Sequence, residues 1–305
     1  MKTAIAMTSW SRPHFTKHTI SSLNASGARD MDLHIFQDGF SDLQTQNGVE
    51  EVLSMWEAYE HPSKIIHNSD QHLGLSPNIS RALELLSEYD AIYLVEDDLN
   101  FMPGYFRTGL ILYERMVAEL GKPVLIQQWD KSYQASWSQE QVERCLTDST
   151  EWQICINAWV NIQGCFITRT AWDSFSDIWY DYKNKFVCKS LVAKTENLDE
   201  LRQNAADFSA LLNAPLHWPP GWGHDQIIRR MAFSRGVPFA NFRTRRMLNI
   251  GDAGASLTPT QWKEWGFDLA TAFPIEEEII VNAIKNGIYR DGINDKAWFA
   301  GCDNR

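Results

Sequence analysis

Several features that define common classes of protein are absent from this chain. Its five cysteines are odd in number and include no Cys-x-x-Cys pair, which predicts reduced thiols in a cytoplasmic protein. No apolar run approaches the roughly 20 residues that a membrane helix needs. The first strand candidate follows Met1-Lys2 directly, so no secretory signal is expected.

An excess of positive charge is also absent. The chain has 28 Lys and Arg against 39 Asp and Glu, which gives a net charge of −11. This balance disfavours a broad nucleic-acid footprint, although a local basic groove is compatible with it. A basic amphipathic helix of the kind that binds membrane surfaces is missing as well.

What the first half does contain is an alternation of strand and helix patterns. Apolar, β-branched segments at 3–8, 32–37, 64–68, 91–95 and 124–128 are separated by helical patterns at 13–24, 49–59, 77–87 and 104–120. Such alternation predicts an α/β fold with a mainly parallel sheet flanked by helices.

The most informative segment is the fourth strand candidate and the residues after it. Four apolar residues run into Glu96, Asp97 and Asp98, and the chain then breaks at Pro103-Gly104. Open α/β sheets bind ligands at the carboxyl ends of their strands, which is where these acids are expected. Because three adjacent carboxylates repel one another, they need a partner, for which a divalent cation is the leading candidate.

The second half is rich in tryptophan. Residues 129–222 contain eight of the 13 Trp residues, at 129, 137, 152, 159, 172, 179, 218 and 222. Most are expected to pack in the core, where large aromatics bury much area. Some, with Trp129 and Trp222 as candidates, are expected to line a groove in which flat rings stack on sugars or bases.

A second chemical signal is Gly221-Trp222-Gly223-His224-Asp225-Gln226. Pro219-Pro220 precedes it, and a helical apolar pattern follows, so His224 and Asp225 are expected near a helix N-terminus. Asp225 can be an N-cap, which Asp commonly is, or a catalytic base delivered to a pocket.

Together these residues resemble nucleotide-sugar glycosyltransferases of the GT-A fold, and within them most closely the N-acetylglucosaminyltransferase I group. The resemblance extends in order over residues 3–256. It rests on the following matches: Glu96-Asp97-Asp98-Leu99 with Pro103 and Phe106, Gln37-Asp38 at an early strand end, Asp225 with Arg229-Arg230, and the run 245–256.

The resemblance implies roles for the acids. Asp98 is expected to bind Mn²⁺ or Mg²⁺ between the donor's two phosphates, because carboxylate and phosphate oxygens suit such cations. Asp97 and Glu96 are then expected to bond the ribose and the transferred sugar. Asp38 is expected to accept a hydrogen bond from uracil, although a turn after a strand also explains Asp38-Gly39.

Other donor-binding candidates lie in two loops. Thr8, a donor-binding candidate, ends the first strand candidate. Arg12 lies just past it and is expected beside the base or a phosphate; a solvated Arg12 is the alternative. Gly251 and Ser256 belong to a glycine-bearing segment that is expected to be a lid over the donor or an ordinary turn.

The implied activity is metal-dependent transfer of a sugar from a UDP-sugar to an acceptor hydroxyl in a bacterial or phage-infected cell. Asp225 is expected to be the base of an inverting displacement, but a one-residue shift would give that role to His224 and leave the stereochemistry open. The acceptor is expected to be a glycan, a small molecule or, less favoured by charge, a hydroxylated phage DNA base. A nucleotidyltransferase and a non-catalytic carbohydrate-binding protein are the alternatives.

The same interpretation predicts that the chain consists of three parts. Residues 1–128 are expected to be the nucleotide-sugar-binding half of a single domain, and 129–260 the acceptor-binding and catalytic half. Residues 261–305 are expected to be a helical extension.

Overall fold

A computed structural model describes residues 1–128, 138–150, 152–156, 163–185, 224–251, 260 and 272–291. At 182–185, 224–226, 290 and 291 the backbone alone is described.

A nine-stranded sheet forms the centre of the molecule. Its strands are β1 (Thr3–Ser9), β2 (Asp32–Gln37), β3 (Lys64–Asn68), β4 (Ala91–Glu96), β6 (Leu125–Gln127), β7 (Trp152–Ile156), β8 (Cys165–Thr168), β9 (Phe239–Phe242) and β11 (Ile288–Asp291). Two further strands, β5 (Leu99–Phe101) and β10 (Met247–Asn249), form a separate antiparallel pair.

The order across the large sheet is β11-β7-β9-β6-β8-β4-β1-β2-β3. Strands β1 to β4 are mutually parallel, as are β6 and β9. Strand β8 runs antiparallel between β4 and β6, and β7 is antiparallel to β9. The carboxyl ends of β1, β2, β4, β6 and β9 therefore share one edge of the sheet, which confirms the mainly parallel α/β fold expected from the sequence.

Helices cover both faces of this sheet. They are α1 (Pro13–Leu23), α2 (Leu43–Ala58), α3 (Leu75–Leu83), α4 (Tyr105–Leu120), α5 (Gln139–Thr147), α6 (Arg169–Asp173), α7 (Ser176–Lys185), α8 (His224–Ser234) and α9 (Glu277–Asn286). One buried apolar cluster joins the sheet to α1, α2, α4, α5 and α9, and a second joins the opposite face to α3, α6, α7 and α8. Parallel strands buried on both faces explain the nearly continuous apolar runs in the sequence.

Helix α2 begins six residues earlier than the sequence pattern predicts. Asp42 accepts a hydrogen bond from the backbone N–H of Thr45, and the Thr45 hydroxyl reaches back toward the N–H of Asp42. This reciprocal cap satisfies N–H groups that a helix start otherwise leaves without partners, so the polar first turn is helical despite its lack of apolar residues.

The C-terminal part contains a strand as well as the expected helix. Helix α9 packs against α4, and β11 pairs in parallel with β7 at one end of the large sheet. The tail predicted as a helical extension thus contributes to the central sheet. None of the described helices has the length and apolar character required to cross a membrane.

Candidate active site

The acidic residues lie where the strand order of the sheet changes direction. Strand β1 pairs with β2 on one side and with β4 on the other, so the connections after β1 and β4 leave a crevice between them. Thr8 pairs with Glu96 across this point, and the N–H of Asp97 donates to the carbonyl of Thr8 at 3.0 Å. Thr8, Glu96 and Asp97 thus meet at this crevice.

Both carboxylate oxygens of Asp97 accept hydrogen bonds from other residues of the chain. Its side chain is 2% exposed. One oxygen, Oδ2, accepts from the Ser9 hydroxyl, the N–H of Trp10 and the Thr16 hydroxyl at 3.0 to 3.1 Å, while Oδ1 accepts from Arg12 at 2.9 Å. These bonds tie the turn after β1 to the end of β4. The carboxylate that the resemblance assigns to the donor's sugars here holds this turn in place.

Arg12 supplies a positive charge to the crevice. Its Nη2 lies 2.9 Å from Asp97 Oδ1 and its Nη1 lies 3.0 Å from Asp98 Oδ2, with the side chain 25% exposed. Burial by itself lowers the pKa of Arg12, but the neighbouring carboxylates outweigh burial and raise this pKa above its usual value. The alternative of a solvated Arg12 is wrong, and part of the neutralisation attributed to a cation comes from this guanidinium.

Asp98 differs from Asp97 because only one of its two carboxylate oxygens has a partner among the described residues. Oδ2 pairs with Arg12, whereas the buried Oδ1 has no hydrogen-bond partner in the described part of the chain. Burial raises the pKa of Asp98, and the positive charge of Arg12 opposes that rise. An uncommitted, buried carboxylate oxygen is a ligand that hard divalent cations accept.

Gly251 forms a wall against Asp98. A Cβ atom added to Gly251 would lie 2.3 Å from Asp98 Oδ2, so only glycine fits there without displacement. The N–H of Ile250 also donates to the Asp98 carbonyl at 2.8 Å. The glycine-bearing segment therefore begins in direct contact with Asp98, one of the acids with which the resemblance groups it. Ser256 lies outside the described residues.

Asp38 is committed to the loops around it. Oδ1 accepts from the N–H groups of Gly39 and Leu73 at 2.9 and 2.7 Å, and Oδ2 accepts from the N–H of Gly74 at 2.9 Å. His72 Nδ1 also lies 2.9 Å from Oδ2. A uracil ring that bonded to this carboxylate would compete with those backbone donors, and the observed bonds fit the turn-stabilising alternative.

An aromatic pair beside Asp38 is absent from the sequence-based candidates. The rings of Trp10 and His72 stack with their centroids 4.9 Å apart and their planes 28° apart. Trp10 Nε1 donates to the Gly39 carbonyl at 2.9 Å, which fixes the indole at the carboxyl ends of β1 and β2. The only sequence signal was a tryptophan directly after the first strand, since its partner lies in a different loop.

The structure describes the remaining candidates to different extents. His224 and Asp225 are the first two residues of α8, so Asp225 falls inside the first turn rather than before it, although helix ends are defined only to a residue or two. Thr8 is buried and its hydroxyl donates to the Val95 carbonyl at 3.3 Å. Trp129 and Trp222 lie outside the described residues.

The described residues contain no cluster of three or more His, Cys, Asp or Glu side chains suited to a metal ion. Within this part of the chain, Asp98 would therefore offer a cation only a single carboxylate. A cation at this position would need additional oxygen atoms from a bound molecule.

No family model and no curated protein matches the chain. Among solved structures it is similar to a galactosyltransferase, LgtC, in complex with donor and acceptor sugar analogs. The alignment covers 90% of this chain and 98% of that chain, at 8% sequence identity and a TM-score of 0.31. Because both values are this low, the function proposed below rests on the residues of this chain alone.

Proposed function

We propose that the protein is a metal-dependent glycosyltransferase of the GT-A fold that uses a UDP-sugar donor, related to the N-acetylglucosaminyltransferase I group. One observation carries the proposal. Asp98, held by Arg12 and walled by Gly251 at the crevice between β1 and β4, keeps a buried carboxylate oxygen without a partner among the described residues. Nucleotides bind at this position in doubly wound sheets.

Asp98 holds Mn²⁺ or Mg²⁺ in this proposal. The single protein carboxylate suits such a cation when phosphate oxygens complete its coordination, since Mg²⁺ in particular is often bound by one or two carboxylates and substrate phosphates. The bound cation supplies neutralisation of the negative charge on the departing diphosphate. Arg12, already paired with Asp98, adds a fixed positive charge to the same crevice.

The stacked Trp10 and His72 rings form the wall for the uracil base. Trp10 is half-buried and His72 is exposed, both beyond the carboxyl ends of the first strands, and a flat base stacks on such a surface with little dependence on hydrogen bonding. Asp38 acts through its neighbours, because it orients His72 and the Leu73-Gly74 backbone.

Asp225 is the base that takes the proton from the acceptor hydroxyl. The acceptor oxygen then forms a bond to the anomeric carbon as the bond to the diphosphate breaks, with inversion and release of UDP. A helix N-terminus favours a negatively charged side chain in its first turn, and the carboxylate form is the one that accepts a proton. His224, the preceding residue of α8, is the alternative base. Positioning and charge stabilisation supply most of the acceleration in such transfers.

Binding of UDP measured by isothermal titration calorimetry, with and without Mn²⁺, tests this proposal. We expect binding that requires Mn²⁺ and that falls at least tenfold in Asp98→Asn. Metal-independent binding, or none, would contradict it. A nucleotidyltransferase would instead release pyrophosphate from UTP and a sugar phosphate, and a carbohydrate-binding protein would bind sugars without UDP.

The base is tested separately by the release of UDP from a panel of UDP-sugars in the presence of candidate acceptors, with products identified by mass spectrometry. Asp225→Asn is expected to retain the affinity for UDP and to lose turnover at least a hundredfold. If His224→Ala shows that loss and Asp225→Asn does not, the roles of the two residues are exchanged.

A further inference from the structure

A second group of polar side chains lies along the same sheet edge, outside the acidic crevice. Asn241 and Gln127 are each 1% exposed. Neither the Nδ2 nor the Oδ1 atom of Asn241 has a hydrogen-bond partner within the described ranges, and the same is true of Gln127 Oε1. Buried amides are almost always hydrogen-bonded, so three uncommitted atoms in two neighbouring side chains require an explanation.

The strand register places these two amides side by side. Gln127 and Asn241 are paired residues of the parallel strands β6 and β9, so their side chains project from the same face near the carboxyl ends. Two residues earlier, Leu125 and Phe239 belong to the apolar cluster of the α8 face. The amides therefore continue that face beyond the end of its apolar packing.

Helix α8 brings its first turn to the same place. Its residues Ile227, Ile228 and Met231 pack in the cluster that contains Leu125 and Phe239. Because α8 joins the amino end of β9 through the short segment 235–238, the start of the helix lies toward the carboxyl end of that strand. The backbone of His224 and Asp225 is thus at the edge where Asn241 and Gln127 lie.

A row of hydrogen bonds connects the amides to the acidic crevice. Gln127 Nε2 donates to the Gln163 carbonyl at 3.3 Å, and Asn249 Nδ2 donates to Gln163 Oε1 at 2.7 Å. The N–H of Gly251 then donates to Asn249 Oδ1 at 2.8 Å, and Gly251 itself abuts Asp98. The uncommitted amides and the uncommitted carboxylate therefore lie at the two ends of one continuous polar row.

The chemistry of this row differs from that of the crevice. Its side chains are neutral amides, each of which offers both donors and an acceptor. A sugar ring presents hydroxyl groups that donate and accept in the same way and carries no charge to be neutralised. Phosphate would be poorly served by such a set, because it needs positive charge or several backbone N–H groups.

We propose that Asn241 and Gln127 bind the hydroxyl groups of a sugar ring, with Asn241 as the specificity-determining residue. The inference deepens the proposed transferase function by giving sugar recognition its residues, but binding of a sugar at the amides does not require the metal at Asp98. The ring belongs either to the donor, as the transferred sugar, or to the acceptor.

The replacement Asn241→Leu tests the proposal, because leucine has a similar size and no polar atoms. Titration with UDP, UDP-glucose, UDP-galactose and UDP-N-acetylglucosamine in the presence of Mn²⁺ forms one arm of the experiment. Saturation-transfer NMR with methyl glucoside and methyl galactoside forms the other. If the ring is the donor's, the affinity for at least one UDP-sugar falls tenfold or more while that for UDP is unchanged. If the ring is the acceptor's, the glycoside signals are lost instead.

Asn78→Leu is the matched control. Asn78 is also a buried amide, but its Nδ2 donates to the Phe36 carbonyl and its Oδ1 accepts from Arg81. We expect Asn78→Leu to lower the melting temperature without a selective effect on sugars, and Asn241→Leu to leave that temperature unchanged or raise it. Should Asn241→Leu fail to fold, Asn241→Ala is read by the same two arms.

Sugar binding that is unchanged in both arms, or absent from the wild-type protein, would overturn the inference. If UDP binds in a metal-dependent way and the Asn241 variant has no effect on sugar binding, the sugar-binding inference fails and the transferase proposal stands. If glycosides bind in a way that depends on Asn241 and UDP does not bind, the transferase proposal fails and the sugar-binding inference stands.

Discussion

Two places along one edge of the large sheet bury their polar groups in opposite ways. At β1 and β4, charged side chains are buried together, and Asp97 and Arg12 give one another partners. At β6 and β9, neutral amides are buried with several atoms uncommitted among the described residues. A completed network holds a structure in place, whereas an incomplete one leaves bonding capacity for something else. Asp98 lies with the charged group at β1 and β4, but its Oδ1 atom lacks a partner among the described residues, as the amide atoms at β6 and β9 do.

The largest expected effect separates Asp97 from Asp98. Asp97→Ala leaves Arg12 short of a counter-charge and removes the acceptor of Ser9, Trp10 and Thr16, so we expect a loss of about 3–5 kcal/mol in the free energy of unfolding. Asp98→Ala removes one bond to Arg12 and a desolvated carboxylate, and is expected to cost much less. Urea denaturation followed by fluorescence measures both. Equal losses would show that the two acids share one structural role.

A middle-sized effect is expected at the wall of the crevice. Gly251→Ala places a Cβ against Asp98 Oδ2, and relief of that overlap is expected to cost about 1–3 kcal/mol of stability and to weaken Mn²⁺-dependent UDP binding at least tenfold. Gly121→Ala is the control, since Gly121 has a positive φ of 63° but no neighbouring atom within 4 Å. It should lose about 1 kcal/mol through backbone strain and bind UDP normally.

The smallest effect is expected at His34, which lies outside both polar groups, and it shows how stability responds to pH without them. His34 Nδ1 is 2.9 Å from His67 Nε2, and its Nε2 is 2.8 Å from the Tyr89 hydroxyl, which donates to Asp32. Burial and then the neighbouring His67 lower the pKa of His34 below its usual 6.5. The unfolded chain therefore binds a proton more readily, and stability is lost as the pH falls below about 6.5.

Denaturation midpoints between pH 7 and pH 5 measure this loss, and His34→Gln should reduce its slope. The pKa of Asp32 is also lowered, by side-chain hydrogen bonds from Ser63 and Tyr89, but Asp32 titrates below its usual 3.8 and so outside this window. An unchanged slope in His34→Gln would assign the acid sensitivity to other groups.

Much of the fold follows from the sequence because its signals are local. The bounds of β2 and β3 agree with the apolar patterns, and the acids at the end of β4 indicate the edge of the sheet at which the proposed site lies. The strands of the second half are three to five residues long, too short for a pattern to show which face a side chain occupies. The proximity of Gln127 to Asn241 follows only from strand order.

The sequence indicates where the candidate site lies but not which side chains contact one another within it. The adjacent residues Asp97 and Asp98 look equivalent in the sequence, and only the turn after β1 makes one of them structural. The stacking of Trp10 on His72 joins two loops that no sequence spacing relates. The helix cap formed by Asp42 and Thr45 starts α2 ahead of Val49, where the apolar pattern alone predicts the helix to begin.

The hydrogen bonds of Asp97 also bear on the order in which the molecule assembles. All its partners precede it in the chain, so the turn after β1 can be secured as soon as β4 emerges during synthesis. The wall of Asp98 arrives only with β10 and Gly251, which are synthesised long after β4. A nascent chain would thus possess the bonds that hold the turn after β1 well before it possesses a finished crevice, which delays any chemistry there until Gly251 has been made.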